Sequence, residues 1–204
     1  MTLVTLSAAY GSGGSMLGPR LAERLGVPFL DRAIPAVVAQ RLAVPLEEAE
    51  AHDQSIGSLL ARVVLRLAPL GQAFGAAAIE PLDEDAFRLA TESIIREQAA
   101  TGDGVILGRA AALVLAGDPR ALHVRLHGAR EARIEQAMRL REIDRPTAER
   151  EQAETDKARE AYVRHFYRAD AQDCLHYHLT IDSTALPLDA VLETIALAAQ
   201  GRSR

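Results

Sequence analysis

The chain has 204 residues, of which 49% are hydrophobic and 25% charged, as in a soluble globular protein long enough for one domain. Its net charge of -5 argues against a general nucleic-acid binder, and no apolar run approaches the roughly 20 residues of a membrane-spanning helix. The opening MTLVTLS lacks the features of a secretion signal, and the single cysteine, Cys174, suits a reducing compartment, so we expect a cytoplasmic protein.

Short apolar runs alternate with segments of helical spacing, which predicts strands that alternate with helices. The predicted strands are Leu3–Leu6, Pro28–Leu30, Gly104–Leu107, Ala121–Leu126 and Tyr177–Ile181. The predicted helices are Ser15–Leu25, Glu84–Ala100, an alanine-rich helix after residue 109, Ala129–Arg141, Thr147–Tyr167 and Leu188–Ala199, and residues 31–102 are mainly helical with breaks at Pro45, Pro69 and Pro81. This alternation predicts an α/β fold with a parallel sheet covered on both faces, and ligands of such folds bind at the carboxyl ends of the strands.

A glycine-rich turn, Gly11–Ser15, joins the first predicted strand to the first helix. Backbone N–H groups in such a turn bind phosphate, helped by the helix dipole; the alternative is a flexible loop in which Ser15 caps the helix. The phosphate-loop motif G-x-x-x-x-G-K-[ST] is incomplete here. With Gly13 on its last glycine, Ala8 takes the first, Gly14 takes the lysine, and Ser15 takes the hydroxyl that holds magnesium.

The basic residues are nearly all arginine, and Lys157 is the only lysine. Residues 120–168 carry 12 basic and nine acidic side chains, a local balance of +3 in an otherwise acidic chain. Arginine-rich helices beside a phosphate loop suit guanidinium groups that grip phosphoryl oxygens, and the alternative is a solvated face laced with ion pairs. In the segment DKAREAYVRHFY, Asp156 and Arg159 are three residues apart, which puts a carboxylate and a guanidinium on one helix face.

Further polar residues lie at or beside predicted strands. Gly108 and Arg109 follow the third strand, where a cation would lie beside a bound phosphate; the alternative is an exposed arginine at a helix start. Asp31, at the end of the second strand, either acts on an acceptor or on the waters of a metal, or caps the next helix. His176 and His178 lie two apart on a predicted strand and, without a third ligand, are a weak indication of metal binding.

The segment VTLSAAYGSGGSMLGPRLAERLGVPFLDR resembles the opening of the cytidylate kinase-like family, a branch of the nucleoside monophosphate kinases. The resemblance continues at VILGRAA, DKAREAYVRHFY and TIDSTALPLDAVLETI. It implies a single P-loop kinase-type domain over residues 1–204, with five parallel strands, a helical acceptor-binding region at 31–102 and an arginine-rich helical lid at 128–168. The chain departs from the cytidylate kinase pattern at Ala110, which replaces an aspartate, at Gln152, which replaces the first arginine of R-x-x-x-D-x-x-R, and at Gly14, a substitution that the kinase-like branch shares.

The resemblance implies an ATP- and Mg²⁺-dependent phosphotransferase that acts on a nucleoside monophosphate or a similar small acceptor. A lid arginine would then replace the missing lysine, and the alternative is a nucleotide-binding or regulatory protein that has lost turnover. The expected catalytic residues are Arg159, Asp156 and Arg133. ATP is expected at Gly11, Ser12, Gly13, Gly14 and Ser15, magnesium at Ser15, and the acceptor at Asp31 and Arg109. An apolar stripe at residues 59–67 is either core or a homodimer face.

Overall fold

The computed structural model describes residues 2–31, 84–108 and 110–202, and the structural account concerns these residues. The strands are β1 (Leu3–Ala8), β2 (Phe29–Asp31), β3 (Gly104–Leu107), β4 (Ala121–His127) and β5 (Leu179–Asp182). The helices are α1 (Gly14–Leu25), α2 (Glu84–Ala100), α3 (Ala111–Val114), α4 (Arg130–Arg141), α5 (Arg145–Tyr167) and α6 (Leu188–Arg202). Several predictions lie outside the described residues: the breaks at Pro45, Pro69 and Pro81, the stripe at 59–67, most of the acceptor-binding region at 31–102, and all of Arg109.

The five strands form one sheet in the order β2-β3-β1-β4-β5, and every pairing is parallel, which confirms the predicted sheet. At the carboxyl edge, the amide of Ala9 donates to Leu126 O at 3.1 Å and the amide of Gly108 donates to Leu6 O at 2.9 Å. The loop after β1, the Gly108 turn and the end of β4 therefore meet at one edge, as the sequence predicts.

Helices cover both faces of the sheet, as a parallel sheet requires. Alternate residues of each strand point to opposite faces, so β1 contributes to two separate clusters. The cluster with α1 and α6 contains Val4, Leu6, Leu17, Leu21, Val191 and Ile195, and the cluster with α2 and α3 contains Leu3, Ile95, Ile106 and Ala111. Within the described ranges, no helix is long and apolar enough to cross a membrane.

The segment before β5 differs from the prediction. The strand begins at Leu179 and not at Tyr177, because a 3-10 turn over Cys174–His176 precedes it, so the interpretation that His176 and His178 share a strand face is wrong. The His178 ring instead stacks on His123 with 4.9 Å between centroids. The part of the chain that the structure describes holds no group of three His, Cys, Asp or Glu side chains suited to a metal ion.

Candidate anion-binding site

The turn between β1 and α1 has the backbone geometry of a tight glycine loop. Gly11 and Gly13 have φ values of 74° and 80°, a region that residues with a Cβ rarely adopt. An added Cβ at Gly11 would also lie 2.1 Å from Arg133 O. Gly13 occupies the N-cap position of α1, so the alternative in which Ser15 caps the helix is wrong: Ser15 lies exposed within the first turn.

Every carbonyl from Ala8 to Ser12 accepts a hydrogen bond from a side chain. Four of the donors come from α4, α5 and the loop after β5, and the fifth lies within the turn. They are Arg159 Nη1 to Ala8 O (2.6 Å), Ser12 Oγ to Ala9 O (2.7 Å), Arg133 Nη1 to Tyr10 O (2.7 Å), Gln136 Nε2 to Gly11 O (3.0 Å) and Ser183 Oγ to Ser12 O (2.7 Å). The orientation of the loop peptides is therefore set by distant elements, not by the loop alone.

The amides of the same loop are left available. Among the described residues, no acceptor pairs with the N–H groups of Gly11, Gly13, Gly14 and Ser15. All four residues line a cavity of about 480 Å³ at the carboxyl edge of the sheet. Unpaired N–H groups at the start of a helix favour a bound anion, since they donate hydrogen bonds and add the positive end of the helix dipole. The arrangement can therefore bind a phosphate or polyphosphate.

An ion pair between α4 and α5 holds the peptide groups on both sides of Tyr10. Arg133 Nη1 lies 2.7 Å from Asp156 Oδ2, and their side chains are only 10% and 18% exposed. Asp156 Oδ1 accepts from the amide of Tyr10 at 2.9 Å, while Arg133 donates to the carbonyl of Tyr10 and, through Nε, to Gly128 O at 3.0 Å. Both predicted residues thus contact the loop backbone and are positioned to orient it.

Gln152, which stands where cytidylate kinases have an arginine, is hydrogen-bonded to the carboxylate of the Arg133–Asp156 ion pair. Its Nε2 donates to Asp156 Oδ2 at 2.8 Å, and its Oε1 accepts from Arg130 Nε at 2.9 Å. The amide therefore links the guanidinium of Arg130 to the carboxylate of Asp156. Asp156 and Arg159 both contact the loop, which shows that they lie on one face of α5, as their spacing predicts.

A second contact between these two helices and the loop involves the phenol of Tyr10. Its hydroxyl donates to Glu151 Oε2 at 2.9 Å, and Arg141 pairs with the same carboxylate and lies 5.8 Å above the Tyr10 ring. The hydrogen bond from Arg141 lowers the pKa of Glu151, whereas burial, reinforced by Glu151, raises the pKa of Tyr10. Tyr10 therefore stays a neutral donor at ordinary pH and joins the loop to both α4 and α5.

Arg145 at the start of α5 forms the solvated ion pairs of the alternative interpretation. Arg145 lies 3.0 Å from Glu131 and 3.3 Å from Glu149, with side chains that are 42–62% exposed. Such exposed pairs contribute little to stability. The two interpretations of the arginine-rich helices therefore apply to different residues: Arg133 and Arg159 serve the loop, and Arg145 serves the surface.

The loop after β5 supplies a contact that sequence reasoning missed. Asp182 Oδ1 accepts from the amide and hydroxyl of Thr184, at 2.9 and 2.6 Å, and these bonds lower the pKa of Asp182. This turn buries Ser183 completely and directs its hydroxyl to Ser12 O. Gln136 was also missed, although its position three residues after Arg133 on a helix was a usable signal.

The remaining predicted site residues are Ser15, Asp31 and Arg109. Ser15 lines the cavity from the first turn of α1. Asp31 ends β2, where its backbone is in register with Leu107 of β3. Its side chain and all of Arg109 lie beyond the described part of the chain. The acceptor-binding role expected for these two residues therefore stays a prediction.

Comparisons with known proteins agree with this architecture. The sequence model of the cytidylate kinase-like family matches residues 3–185, whereas no curated protein matches the chain. The chain is similar to the crystal structure of an uncharacterized protein from Eubacterium ventriosum, with a TM-score of 0.67 and 20% identity over 98% of both chains. It is also similar to a gluconokinase from Sinorhizobium meliloti, with a TM-score of 0.50 and 20% identity over 98% of this chain and 92% of that chain. At these identities the two likenesses concern the fold alone.

Proposed function

This chain belongs to the cytidylate kinase-like family and has a P-loop kinase fold, and from that premise we propose that it is an ATP-dependent phosphotransferase. The γ-phosphate of ATP would pass to a nucleoside monophosphate or a similar small acceptor. The observation that carries the proposal concerns the amides of Gly11, Gly13, Gly14 and Ser15, which line the cavity and pair with no acceptor in the described part of the chain. The carbonyls from Ala8 to Ser12 are already engaged by side chains. Phosphoryl transfer depends mainly on positioning and charge neutralisation, which such a loop supplies.

The donor set fits a magnesium-bound polyphosphate. The amides of Gly11, Gly13 and Gly14 have no acceptor among the described residues and can donate to phosphate oxygens. Ser15, an exposed residue in the first turn of α1, lines the same cavity. A bound Mg²⁺ would neutralise part of the phosphate charge, with the Ser15 hydroxyl as its protein ligand. Ser12 has a different role, because its buried hydroxyl closes the turn onto Ala9 O.

Arg159 is the proposed catalytic cation. It lines the cavity from α5, its residue is exposed, and its Nη1 is anchored on Ala8 O at the start of the loop. Guanidinium groups neutralise phosphoryl oxygens through paired N–H donors. Lys157 is absent from the residues that line this cavity, in keeping with its position two residues away on the helix. Arg133 and Asp156 are proposed to act through the loop, since both carboxylate oxygens of Asp156 and two nitrogens of Arg133 are engaged in holding the peptide groups around Tyr10 and Gly128.

The proposed acceptor site lies beside β2 and β3. Asp31 at the end of β2 and Arg109 after β3 would orient the acceptor, and residues 31–102, of which 32–83 lie outside the described part of the chain, are the proposed acceptor-binding region. Ala110, which replaces the aspartate of true cytidylate kinases, leaves the identity of the base open. We therefore propose a nucleoside monophosphate as the first class to be tested and not cytidylate in particular.

The experiment combines ligand-dependent melting with product formation. ATP with Mg²⁺ should raise the melting temperature, and a panel of nucleoside monophosphates should contain one that yields ADP. Arg159→Ala should lower the rate by at least about 10³-fold, as for arginines that stabilise phosphoryl transfer. Lys157→Ala, on the same helix and outside the cavity lining, is the matched control and should retain the wild-type rate. Absence of any ATP-induced shift would contradict the proposal.

A nucleotide-binding protein without turnover is the second candidate. Gly14 leaves the loop without the lysine ammonium, and the Arg133 guanidinium is already bonded to Tyr10 O, Gly128 O and Asp156. The charge available for the transition state is thus smaller than in a complete phosphate loop. This candidate predicts that ATP raises the melting temperature while no acceptor yields ADP.

A further inference from the structure

Ala8, the last residue of β1, and Gly14, the first residue of α1, are in direct contact. An ideal Cβ built on Gly14 would lie 2.4 Å from the Cβ of Ala8 and 3.3 Å from Leu107 Cδ1. Real Cβ atoms essentially never approach as closely as 2.4 Å, and Ala8 Cβ belongs to a strand and cannot swing away. The space that a side chain at position 14 needs is therefore filled by the methyl group of Ala8.

The glycine at position 14 follows from this contact and not from its backbone conformation. Gly14 is helical, whereas Gly11 and Gly13 have the left-handed φ values that themselves favour glycine. Gly14 is also buried. A lysine at this position would have to displace Ala8 or shift the first turn of α1.

We propose that residues 8 and 14 form a coupled pair that decides where the loop obtains its positive charge. In the G-x-x-x-x-G-K-[ST] motif, the first residue has no side chain and the seventh is the lysine. In this chain the first of these positions has a side chain, the methyl group of Ala8, and the seventh, Gly14, has none. The inference rests on the proposed function: Ala8 is a positioning residue that excludes a cation at 14 and makes the site depend on Arg159.

Arg159 is held at the same point. Its Nη1 donates to the carbonyl of Ala8, the residue whose methyl group closes position 14. The guanidinium groups that contact the loop therefore come from α4 (Arg133) and α5 (Arg159), and residues 8–15 contribute no positive side chain of their own. One consequence is that the Arg159 guanidinium is in the site only while α5 is docked on Ala8. A lysine in the loop would instead be in the site wherever α5 lies.

The steric part of the proposal is that the methyl group of Ala8 excludes a side chain at position 14. Melting temperatures test this part without a ligand. Gly14→Ala adds only a Cβ, and Ala8→Gly/Gly14→Ala moves the methyl group from one position to the other. Gly201→Ala is the matched control, because nothing lies within 4 Å of a Cβ added there. We expect Gly14→Ala to melt roughly 5 °C lower and the double variant to recover most of that loss. The control should melt no lower than the wild type, because alanine is the better helix former. A Gly14→Ala protein that melts like the wild type would overturn the proposal.

The charge part of the proposal is that the site depends on Arg159 because position 14 carries no cation. The affinity for pyrophosphate tests this part. Arg159→Ala should weaken binding about 10-fold in the wild-type background, the typical loss of one charge-assisted hydrogen bond. In the Ala8→Gly/Gly14→Lys background, the same substitution should cost less than about 3-fold, because the new ammonium takes over. An equal loss in both backgrounds, or less than about 2-fold in the wild type, would overturn this part. If the wild type binds neither pyrophosphate nor ATP, the proposed function and the charge part fail together, and the melting temperatures still decide the steric part.

Discussion

Removal of the Asp156 carboxylate tests whether α4 and α5 orient the loop. Asp156→Ala removes the acceptor for three donors: the amide of Tyr10 (2.9 Å), Arg133 Nη1 (2.7 Å) and Gln152 Nε2 (2.8 Å). The guanidinium of Arg133, which is 10% exposed, then loses its carboxylate partner. The variant should therefore unfold more easily and hold the Tyr10 peptide less firmly.

The expected loss can be worked from the burial of the pair. Removing one partner of a buried ion pair costs roughly 3–5 kcal/mol. Because the Asp156 side chain is 18% exposed, water reaches the pair and the low end, about 3 kcal/mol, applies. For a chain of this length that corresponds to a melting temperature roughly 6–12 °C lower. Glu154→Ala, an exposed site on the same helix, should change stability by less than about 0.5 kcal/mol.

A double-mutant cycle makes the test specific. Urea unfolding of Asp156→Ala, Arg133→Ala and the double variant should show a coupling of about 2 kcal/mol, because the double variant leaves no uncompensated charge. Pyrophosphate affinity should fall about 10-fold in Asp156→Ala, since the loop peptide is no longer held. Additive losses, or an Asp156→Ala protein as stable as Glu154→Ala, would refute the reasoning.

Two other predictions concern the loop after β5 and a buried histidine. Ser183→Ala removes the hydroxyl that donates to Ser12 O, and it should cost about 1–2 kcal/mol in urea unfolding and weaken pyrophosphate binding; unchanged affinity would remove Ser183 from the site. Burial lowers the pKa of His123 from about 6.5 to about 4, so between these pH values the unfolded chain binds more protons and stability falls as the pH falls. About 2 kcal/mol of the free energy of unfolding should be lost by about pH 5. In His123→Gln, the free energy of unfolding in urea should vary less between about pH 7 and pH 5. If it varies as in the wild type, another group is responsible for the pH dependence.

Local patterns in the sequence predicted most of the architecture. The strands, the helices and the glycine turn follow from residue spacing, because side chains repeat every 2 residues on a strand and every 3.6 on a helix. The same rule placed Asp156 and Arg159 on one face of α5, and both contact the loop in the structure. The strand boundary near Tyr177 was missed, since a 3-10 turn carries no such period.

The sequence by itself determined that a glycine turn after a buried strand lacks its lysine and that the available cations are arginines. Only the tertiary structure decided which side chain meets which loop carbonyl: Ser183 reaches Ser12 from 171 positions away, and Arg133 reaches Tyr10 from 123 positions away. The contact of Ala8 with Gly14 also depended on how α1 packs against β1. The physical reason is that residue periodicity acts within one element, whereas such contacts are fixed by strand order and helix packing, which bring distant parts of the chain to one edge of the sheet.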